Sequence, residues 1–378
     1  MLIKFTEEQL MLRDMIRDFT QNEVEPRDKW MDEHGFDMEL AKKAGALGIT
    51  GINIPEEYGG CGGDAVMYNI ICHEMAKGSS SLPLALDINW VANDMILKHG
   101  TEEQKRFYLP EAAAGKLFAF CLTEACAGSD AGGLKTKAVK VDGGWVLNGA
   151  KAWITNAGVA EYYIVMAVTG VRKNRNEISA FIVHADDEGF SVGAHEDKMG
   201  MRGSQTAELY LDKVFLPDNR LLSSKGAGLR LALEALDGGR ISVAAIALGI
   251  SKRAFELAKS YANERMAFGQ KIGEFQAIQF KFADMATKIR AMEFLVYDAA
   301  MKKAAKEKHT MEAAYAKLFC SENCTQICLE CLQIYGGHGY SRDYPLERLV
   351  RDAKLLEIGE GTSEVLRMVI GKAVLAEK

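Results

Sequence analysis

The residue best placed to do chemistry is Glu360, a single acid between Gly359 and Gly361 in the segment KLLEIGEGTSEVLR. Glycines on both sides let the backbone and the carboxylate approach another molecule closely, because glycine has no side chain and reaches backbone conformations closed to other residues. Contact with a ligand is therefore one interpretation of this acid. An exposed carboxylate in a flexible turn is the other, and both remain open on these residues alone.

Four cysteines near the C-terminal end are a second group that could do chemistry, and they invite a metal-site interpretation. They are Cys320, Cys324, Cys328 and Cys331. Their spacing of four, four and three puts them on one face of a single helix, which cannot wrap four thiolates around one ion. We expect no metal here and interpret them as small residues of a buried helix contact. His73 and His338 stand alone, and we assign them no catalytic part.

Composition argues against several classes of function. The chain has 378 residues, 48% hydrophobic and 26% charged, with a formal net charge of -6, which is ordinary for a globular protein of two or three domains. Lys and Glu are intermixed without a basic stripe, so we expect no binding of nucleic acid. No apolar run reaches the roughly 18 residues of a membrane span, and the charged N-terminus lacks the apolar centre of a signal peptide. We expect a cytoplasmic protein, or one of a comparable compartment such as the mitochondrial matrix, with free thiols.

Three regions of different pattern follow one another along the chain. Residues 1–117 have helical periodicity, residues 118–228 contain short β-branched and aromatic runs separated by Gly, Asn and Asp turns, and residues 229–378 return to long helical periodicity. This order predicts an α+β fold rather than a Rossmann fold, which alternates strands and helices. No G-x-G-x-x-G in a strand-turn-helix context and no Walker A motif is present in the sequence.

Two helix starts can be located from residue spacing. Thr6 with Gln9, and Thr101 with Gln104, each have the spacing of a capping box ahead of an apolar-periodic stretch. We therefore expect helices to begin directly after Thr6 and Thr101.

Four segments, taken in order, go beyond generic helix and strand. They are FCLTEACAGSD with KAWITNAG, LDGGRISVAAIALG, ERMAFGQKIGEFQAIQFKFADM, and QIYGGHGYSRDYPLERLVRDAKLLEIGEGTSEV. Together with KMGMRGSQTAELYLDKVFLP, this sequence resembles the acyl-CoA dehydrogenase family over essentially its whole length. The resemblance implies an N-terminal helical domain, a middle β-barrel or sandwich domain and a C-terminal four-helix bundle.

The resemblance also implies a reaction. The family holds FAD and removes a proton from the α-carbon and a hydride from the β-carbon of an acyl-CoA thioester, and it places Glu360 at the position of the base. A poorly solvated carboxylate has a raised pKa and is a better matched base for a weakly acidic α-proton. In the family, the backbone N–H of this Glu and a ribityl hydroxyl of FAD stabilise the charge that develops on the thioester oxygen.

Residues for the cofactor are implied by position in the family motifs. Thr155 would hydrogen-bond near flavin N5 and Trp153 would cover the isoalloxazine ring, whereas Gln333, Gly336 and Gly337 would come from a second subunit. The full implied set is Phe120, Leu122, Thr123, Ser129, Trp153, Ile154, Thr155, Arg265, Phe268, Gln276, Gln333, Gly336, Gly337, Thr362 and Glu364. Without the family, Arg265 reads as a solvated helix arginine and Thr155 as a strand-end hydroxyl.

Substrate contacts are implied in the same way. Ser129 would face the thioester arm, Asp237 and Arg240 would meet the CoA portion, and Gly361 would contact substrate. A guanidinium suits an anionic, hydrogen-bonding ligand. The local alternative is that Asp237 and Arg240 form an ordinary i,i+3 helix pair.

Four residues, at three places in the chain, depart from the family pattern. Gly359 stands where most relatives carry a bulky residue, which should enlarge the acyl pocket, and Ala125 with Cys126 replaces the usual Pro-Gly. Asp87 lies in the helix expected at the floor of the acyl site, on one face with Trp90 and Val91. It is either a partly exposed or capped acid, or an auxiliary acid or base for an unusual acyl group. We hypothesise that Gly359 and Asp87 signal a substrate wider than a straight short chain.

The sequence thus predicts an FAD-dependent acyl-CoA dehydrogenase that gives a 2-enoyl-CoA from a short, branched or cyclic acyl-CoA. As partners we expect an electron-transferring flavoprotein and, because the family builds its FAD site across subunits, a homotetramer. The alternatives are an enoyl-CoA reductase working in the reverse direction, a flavin oxidase or monooxygenase of the same fold, and a flavin-free helical scaffold.

Overall fold

The computed structural model describes residues 3–376, in which a group of helices, a β-sheet and a second group of helices follow one another. This is the predicted α+β order. The first six helices are α1 (Glu7–Phe19), α2 (Asp28–His34), α3 (Met38–Ala46), α4 (Ala65–Met75), α5 (Ser81–His99) and α6 (Glu102–Ala113). The C-terminal helices are α7 (Gly228–Glu264), α8 (Gln276–Ala304), α9 (Thr310–Tyr335), α10 (Leu346–Leu355) and α11 (Ser363–Ala376).

Both predicted capping boxes are confirmed. The Thr6 hydroxyl accepts from the Gln9 backbone at 3.2 Å while the Gln9 side chain accepts from the Thr6 backbone at 3.1 Å. Thr101 and Gln104 make the same reciprocal pair at the start of α6. Each box satisfies amide donors that the first turn of a helix leaves without partners.

The strands form one mixed sheet of eight and a separate two-stranded hairpin. Their order in the large sheet is β6-β7-β3-β2-β4-β5-β8, with β1 beside β4. Its strands are β1 (Phe118–Cys121), β2 (Lys137–Val141), β3 (Gly144–Thr155), β4 (Tyr162–Arg172), β5 (Arg175–His184), β6 (Phe190–His195), β7 (Thr206–Pro217) and β8 (Leu221–Leu222). The hairpin pairs β9 (Met266–Ala267) with β10 (Gln270–Lys271).

A bulge in β3 turns one aromatic side chain outwards. The pairing of β3 with β7 shifts register between Lys151 and Ile154, and Trp153 in this interval has a φ of 59°. A left-handed residue at a register shift marks a β-bulge, where one strand carries an extra residue. Lys151 and Ala152 are consequently both buried in succession, and Trp153 after them is 59% exposed.

Helix α5 lies at the centre of the molecule, and its residues from Ser81 to Asn93 are all buried. It packs on α7 and on β1, so it joins the helices to the sheet. Its polar residues need partners at this depth. Asn89 accepts from the Phe118 amide at 2.8 Å and Asn93 donates to the Thr50 carbonyl at 3.3 Å. Asp87 Oδ2 and Asn93 Oδ1 have no hydrogen-bond partner among residues 3–376.

The four clustered cysteines lie on α9 and are fully buried against the helix bundle, as the sequence indicates. All eight cysteines are free thiols. Between residues 3 and 376, no helix combines the length and the apolar character needed to cross a membrane.

Candidate active site

Glu360 lies in a tight turn between α10 and α11. The turn is closed by backbone hydrogen bonds from Gly359 to Leu355 at 2.9 Å and from Ser363 to Glu357 at 3.0 Å. Glu360 and Gly361 both have left-handed backbone, with φ of 56° and 95°. This conformation costs a residue with a side chain roughly 1–2 kcal/mol, so surrounding contacts must hold it.

Two buried cations hold the turn. Arg240 on α7 donates from Nε to the Glu360 carbonyl at 3.2 Å, and Lys317 on α9 donates from Nζ to the Gly361 carbonyl at 2.6 Å. Their side chains are 6% and 0% exposed. Hydrogen bonds from charged donors are stronger than neutral ones, particularly away from water. The position of Glu360 is therefore fixed through its backbone, which leaves the carboxylate free.

The Glu360 carboxylate points into the protein. The residue as a whole is partly exposed, but its Oε2 is buried and has no hydrogen-bond partner among the described residues. A Cβ built on Gly239 would lie 3.0 Å from that oxygen and 3.4 Å from Val91 Cγ2, so glycine at 239 makes room for the acid. Burial raises the pKa of Glu360, and the charges of Arg240 and Lys317 lower it only in part. A desolvated carboxylate of raised pKa suits a general base.

Asp237 and Arg240 form the i,i+3 pair expected from their spacing, at 2.8 Å, and Thr310 donates to the second oxygen of Asp237 at 2.8 Å. Arg240 also reaches the Glu360 carbonyl, so it does more than pair locally. The structure thus gives Arg240 a role in the turn that the sequence did not predict, and the predicted contact with CoA stays a prediction.

Asp87 is 1% exposed and lies on the inward face of α5 with Trp90 and Val91, as the helix period predicts. The alternative of a partly exposed or capped acid is wrong. Its Oδ2 has no hydrogen-bond partner among residues 3–376. Burial and the neighbouring Glu360 charge raise the pKa of Asp87 well above its usual value.

Trp153 and Thr155 lie at the end of β3, and the bulge there exposes the flat face that a planar ring system would need. Phe120 and Leu122 are buried in or just after β1, Thr123 is partly exposed and Ser129 is exposed in the loop that follows. A free aromatic beside a glycine-containing loop fits the isoalloxazine part of a flavin, because aromatic rings stack face to face with an offset.

A buried ion pair supports this part of the site. Lys151 on β3 donates to Glu124 at 2.8 Å and to the Leu122 carbonyl at 3.1 Å, and Glu124 accepts from the amides of Lys135 and Thr136. The pair ties the loop after β1 to the strand that carries Trp153. Sequence reasoning missed it, although a lysine inside the run KAWIT is a signal for a paired, buried charge.

The other predicted cofactor residues lie at the far end of the helix bundle. Arg265, Phe268 and Gln276 stand at the α7–α8 junction, and Gln333, Gly336 and Gly337 at the C-terminal end of α9. Tyr261 on α7 stacks on Tyr335 of α9 with ring centroids 4.1 Å apart, so these two groups share one end. Thr362 and Glu364, in contrast, lie beside Glu360 at the start of α11.

This far group cannot meet Glu360 within one chain. Arg240 contacts Glu360 and Arg265 ends the same helix 25 residues later, which at 1.5 Å per residue is a separation of about 38 Å. The family resemblance implies a second-subunit origin only for Gln333, Gly336 and Gly337. In the structure, Arg265, Phe268 and Gln276 lie at the same end of the bundle as these three residues.

Phe268 is the most exposed of these residues. It occupies, with Gly269, the two-residue turn of the β9–β10 hairpin, where φ values of 51° and 80° match a type I′ turn. Its side chain is 97% exposed. An aromatic held out on a rigid hairpin is typical of a binding surface rather than of a core.

A cavity of about 520 Å³ lies elsewhere, between α1, α4, α7 and α8. Its lining carries both acids and bases, among them Arg17, Glu74 and Lys252, and contains none of the predicted site residues. Such a charged lining does not suit an acyl chain.

Family models match in three consecutive blocks. The acyl-CoA dehydrogenase N-terminal domain matches residues 6–116, the middle domain residues 119–214 and the C-terminal domain residues 226–375. These blocks correspond to the first group of helices, the sheet and the second group of helices. Glu360 lies in the third block. The chain belongs to the acyl-CoA dehydrogenase family, whose members are FAD-dependent oxidoreductases.

Two curated relatives illustrate the range of the family. A Bacillus subtilis protein named "Probable acyl-CoA dehydrogenase YngJ" is 48% identical over 99% of this chain and 100% of its own length. The acryloyl-CoA reductase (NADH) of Anaerotignum propionicum is 44% identical over 98% of this chain and 95% of its own.

Solved structures agree closely with this fold. A chain in the structure of the electron transferring flavoprotein of Acidaminococcus fermentans has a TM-score of 0.97 at 42% identity, covering 100% of both chains. Butyryl-CoA dehydrogenase from Megasphaera elsdenii has a TM-score of 0.96 at 41% identity, covering 99% of this chain and 100% of its own.

Proposed function

We propose that this protein oxidises a short, branched or cyclic acyl-CoA to the 2-enoyl-CoA, with Glu360 as the base that takes the α-proton. The observation that carries the proposal is the Glu360 carboxylate: its Oε2 is buried, has no hydrogen-bond partner among the described residues and lies on a turn held by Arg240 and Lys317. A positioned general base contributes about 10² to 10⁴ in rate.

The same turn supplies a donor for the thioester oxygen. Within the described chain, no backbone carbonyl accepts the Glu360 N–H, which therefore remains available. As the α-proton leaves, negative charge develops on the thioester oxygen, and an amide already held in place stabilises it without reorganisation. Proton removal and charge stabilisation thus come from one residue.

Bound FAD supplies the acceptor for the β-hydride, which is the cofactor's own chemistry. Trp153, Thr155 and the loop after β1 would hold its ring system. Arg265, Phe268, Gln276 and the end of α9 would hold the remainder from a neighbouring subunit, because about 38 Å separates that group from Glu360 in one chain. We therefore propose a homotetramer in which each flavin site is shared by two subunits.

Gly359 supports a wide acyl pocket. A Cβ built there would have only the Leu355 carbonyl oxygen within 4 Å, at 3.7 Å, so the space beside it is open. An electron-transferring flavoprotein is the electron acceptor we propose, in line with the likeness to a chain in the Acidaminococcus structure.

Bleaching of the flavin tests the proposal. The purified protein should be yellow with FAD absorption, and anaerobic butyryl-CoA or a branched or ring-bearing thioester should bleach it. Glu360→Gln should keep FAD and bind acyl-CoA yet lose about 10² to 10⁴ in turnover. Glu256→Gln, an exposed acid on α7, is the matched control and should keep wild-type turnover.

Retention of near wild-type turnover in Glu360→Gln would reject the base assignment. Rapid reoxidation in air after anaerobic reduction would indicate an oxidase instead of a dehydrogenase. The reverse direction is the second candidate, favoured by the likeness to an acryloyl-CoA reductase. Reduced protein that reoxidises on enoyl-CoA much faster than oxidised protein bleaches on acyl-CoA would support it.

A further inference from the structure

Several buried polar atoms on the elements around Glu360 have no hydrogen-bond partner among residues 3–376. Four of them are Tyr68 Oη, Asp87 Oδ2, Ser242 Oγ and Glu360 Oε2. They come from α4, α5, α7 and the turn before α11. Most buried polar groups are hydrogen-bonded, so a group of unpaired atoms from four separate elements needs a specific explanation.

Contacts on α5 and α7 relate these atoms to the base. Val91 and the Glu360 carboxylate flank the same point beside Gly239. Asp87 lies four residues before Val91 on α5, and Ser242 lies three residues after Gly239 on α7. They are therefore about 6 Å and about 4.5 Å along their helices from that point. Asp87 and Ser242 are near neighbours: burial raises the pKa of Asp87 and the Ser242 hydroxyl is close enough to lower it in part, yet the two side chains do not meet the geometry of a normal hydrogen bond.

Tyr68 closes the same space from α4. Its ring lies 5.7 Å from the Trp90 ring and 4.9 Å from the Lys303 ammonium, measured between ring centroids and from Nζ to the centroid. Burial is the main cause that raises the pKa of the Tyr68 phenol, and Asp87 is close enough to raise it slightly further. Tyr68, Asp87 and Ser242 form a set that we call the polar floor.

The charges beside the polar floor are already neutralised. Lys303 pairs with Asp94 at 3.0 Å, and both are largely buried. Burial and the Glu360 charge raise the pKa of Asp87 well above its usual value, which favours the protonated acid. A protonated acid, a phenol and a serine hydroxyl are all donors. The polar floor therefore suits an uncharged substrate oxygen that accepts hydrogen bonds. A carboxylate on the substrate would be repelled by the Glu360 charge.

Packing alone does not account for Asp87. Asn89 on the same helix is equally buried, and its side-chain oxygen accepts a hydrogen bond from the Phe118 amide. A buried acid without a partner destabilises a core that leucine would fill.

We propose that the polar floor binds a hydroxyl or carbonyl oxygen on the γ-carbon of the acyl chain, which makes the substrate a short, oxygen-bearing acyl-CoA. This rests on the proposed function, in which the α-carbon of the acyl chain lies beside the Glu360 carboxylate. The polar floor begins about one helical turn away from that carboxylate. A γ-substituent spans that distance.

The test compares three thioesters with the FAD-loaded enzyme: 4-hydroxybutyryl-CoA, pentanoyl-CoA, in which a methyl group replaces the hydroxyl, and glutaryl-CoA. Wild-type enzyme should favour 4-hydroxybutyryl-CoA over pentanoyl-CoA by about 10- to 100-fold in kcat/KM, since the apolar chain leaves the floor unpaired. Asp87→Leu should lose or invert this preference. Its kcat/KM for pentanoyl-CoA should fall less than its kcat/KM for 4-hydroxybutyryl-CoA, and its melting temperature should not fall.

A second variant tests the proposal in case Asp87→Leu does not fold. Ser242→Ala removes one donor with minimal change of shape and should lower the same preference by about 10-fold or less. A wild-type preference for pentanoyl-CoA or glutaryl-CoA, or an Asp87→Leu variant that lowers all three equally, would overturn the proposal. If pentanoyl-CoA is turned over and 4-hydroxybutyryl-CoA is not, this inference fails alone. If no thioester bleaches the flavin, the proposed function fails as well.

Discussion

Lys317 donates a hydrogen bond from Nζ to the carbonyl oxygen of Gly361 at 2.6 Å, across 44 positions of sequence. The residue before that carbonyl is Glu360. The ammonium therefore acts on the base through the backbone, and Lys317 is a positioning residue rather than a catalytic one.

Lys317→Met should lower kcat by about 10-fold or more, because a charge-assisted hydrogen bond that holds a left-handed turn is lost. The KM for acyl-CoA should change less. Steady-state kinetics with an artificial electron acceptor measures both parameters. Lys259→Met, an exposed lysine on α7, is the control. Unchanged kcat in Lys317→Met would remove the positioning role.

The pH profile of kcat should be bell-shaped. Burial raises the pKa of Glu360, so activity falls as pH drops through that value and the base becomes protonated. Burial lowers the pKa of Lys317 from 10.5 to about 8, so activity falls again as pH rises past about 8 and the ammonium is lost.

The alkaline loss should not reflect unfolding. Between about 8 and 10.5 the unfolded chain binds more protons at Lys317 than the folded chain, so this group makes the protein more stable as pH rises. Melting temperatures measured across the profile check this. In Lys317→Met the fall of kcat above about pH 8 should disappear. If kcat still falls there, another group causes the alkaline loss.

Lys151→Met should destabilise the protein by about 3–5 kcal/mol, because it leaves the Glu124 carboxylate buried and unpaired. FAD content should fall too, since the pair ties the loop after β1 to the strand that carries Trp153. The double variant Lys151→Met with Glu124→Gln should recover part of the stability in denaturant unfolding. Wild-type stability in the single variant would contradict the burial argument.

Trp153→Ala should weaken FAD binding by about 10-fold or more while leaving the stability of the apoprotein nearly unchanged. The indole is 59% exposed, so little core packing is lost, and stacking on a planar ring is removed. Fluorescence titration of apoprotein with FAD measures the first effect and thermal unfolding the second. Trp153→Phe should lie between wild type and the alanine variant.

Gly359→Tyr should narrow the acyl pocket. Room exists for a Cβ at this position, so the variant should fold, but a bulky side chain would fill the space beside Glu360. Branched and ring-bearing thioesters should lose at least about 10-fold in kcat/KM relative to butyryl-CoA. Equal losses on all substrates would indicate that Gly359 does not set pocket width.

Local rules were enough for some features. The capping boxes at Thr6 and Thr101 depend only on spacing along a helix, and so does the face that Asp87 shares with Trp90 and Val91. The structure confirms both. The contact of Lys317 with Gly361 depends on how α9 packs against the turn between α10 and α11. No pattern in the sequence encodes this packing. The separation of Arg265 from Glu360 likewise follows from the length of α7, which propensity alone does not fix.

Because Glu360 has left-handed backbone, the residue that would be most stable at this position is not the one that supports activity. Glycine adopts this conformation without strain, and Glu360→Gly would also remove a desolvated charge, so the change should raise the melting temperature while abolishing turnover. A directed-evolution screen that rewards heat resistance alone would accept that loss. Any thermostabilised version of this protein needs a selection that keeps the acid in place.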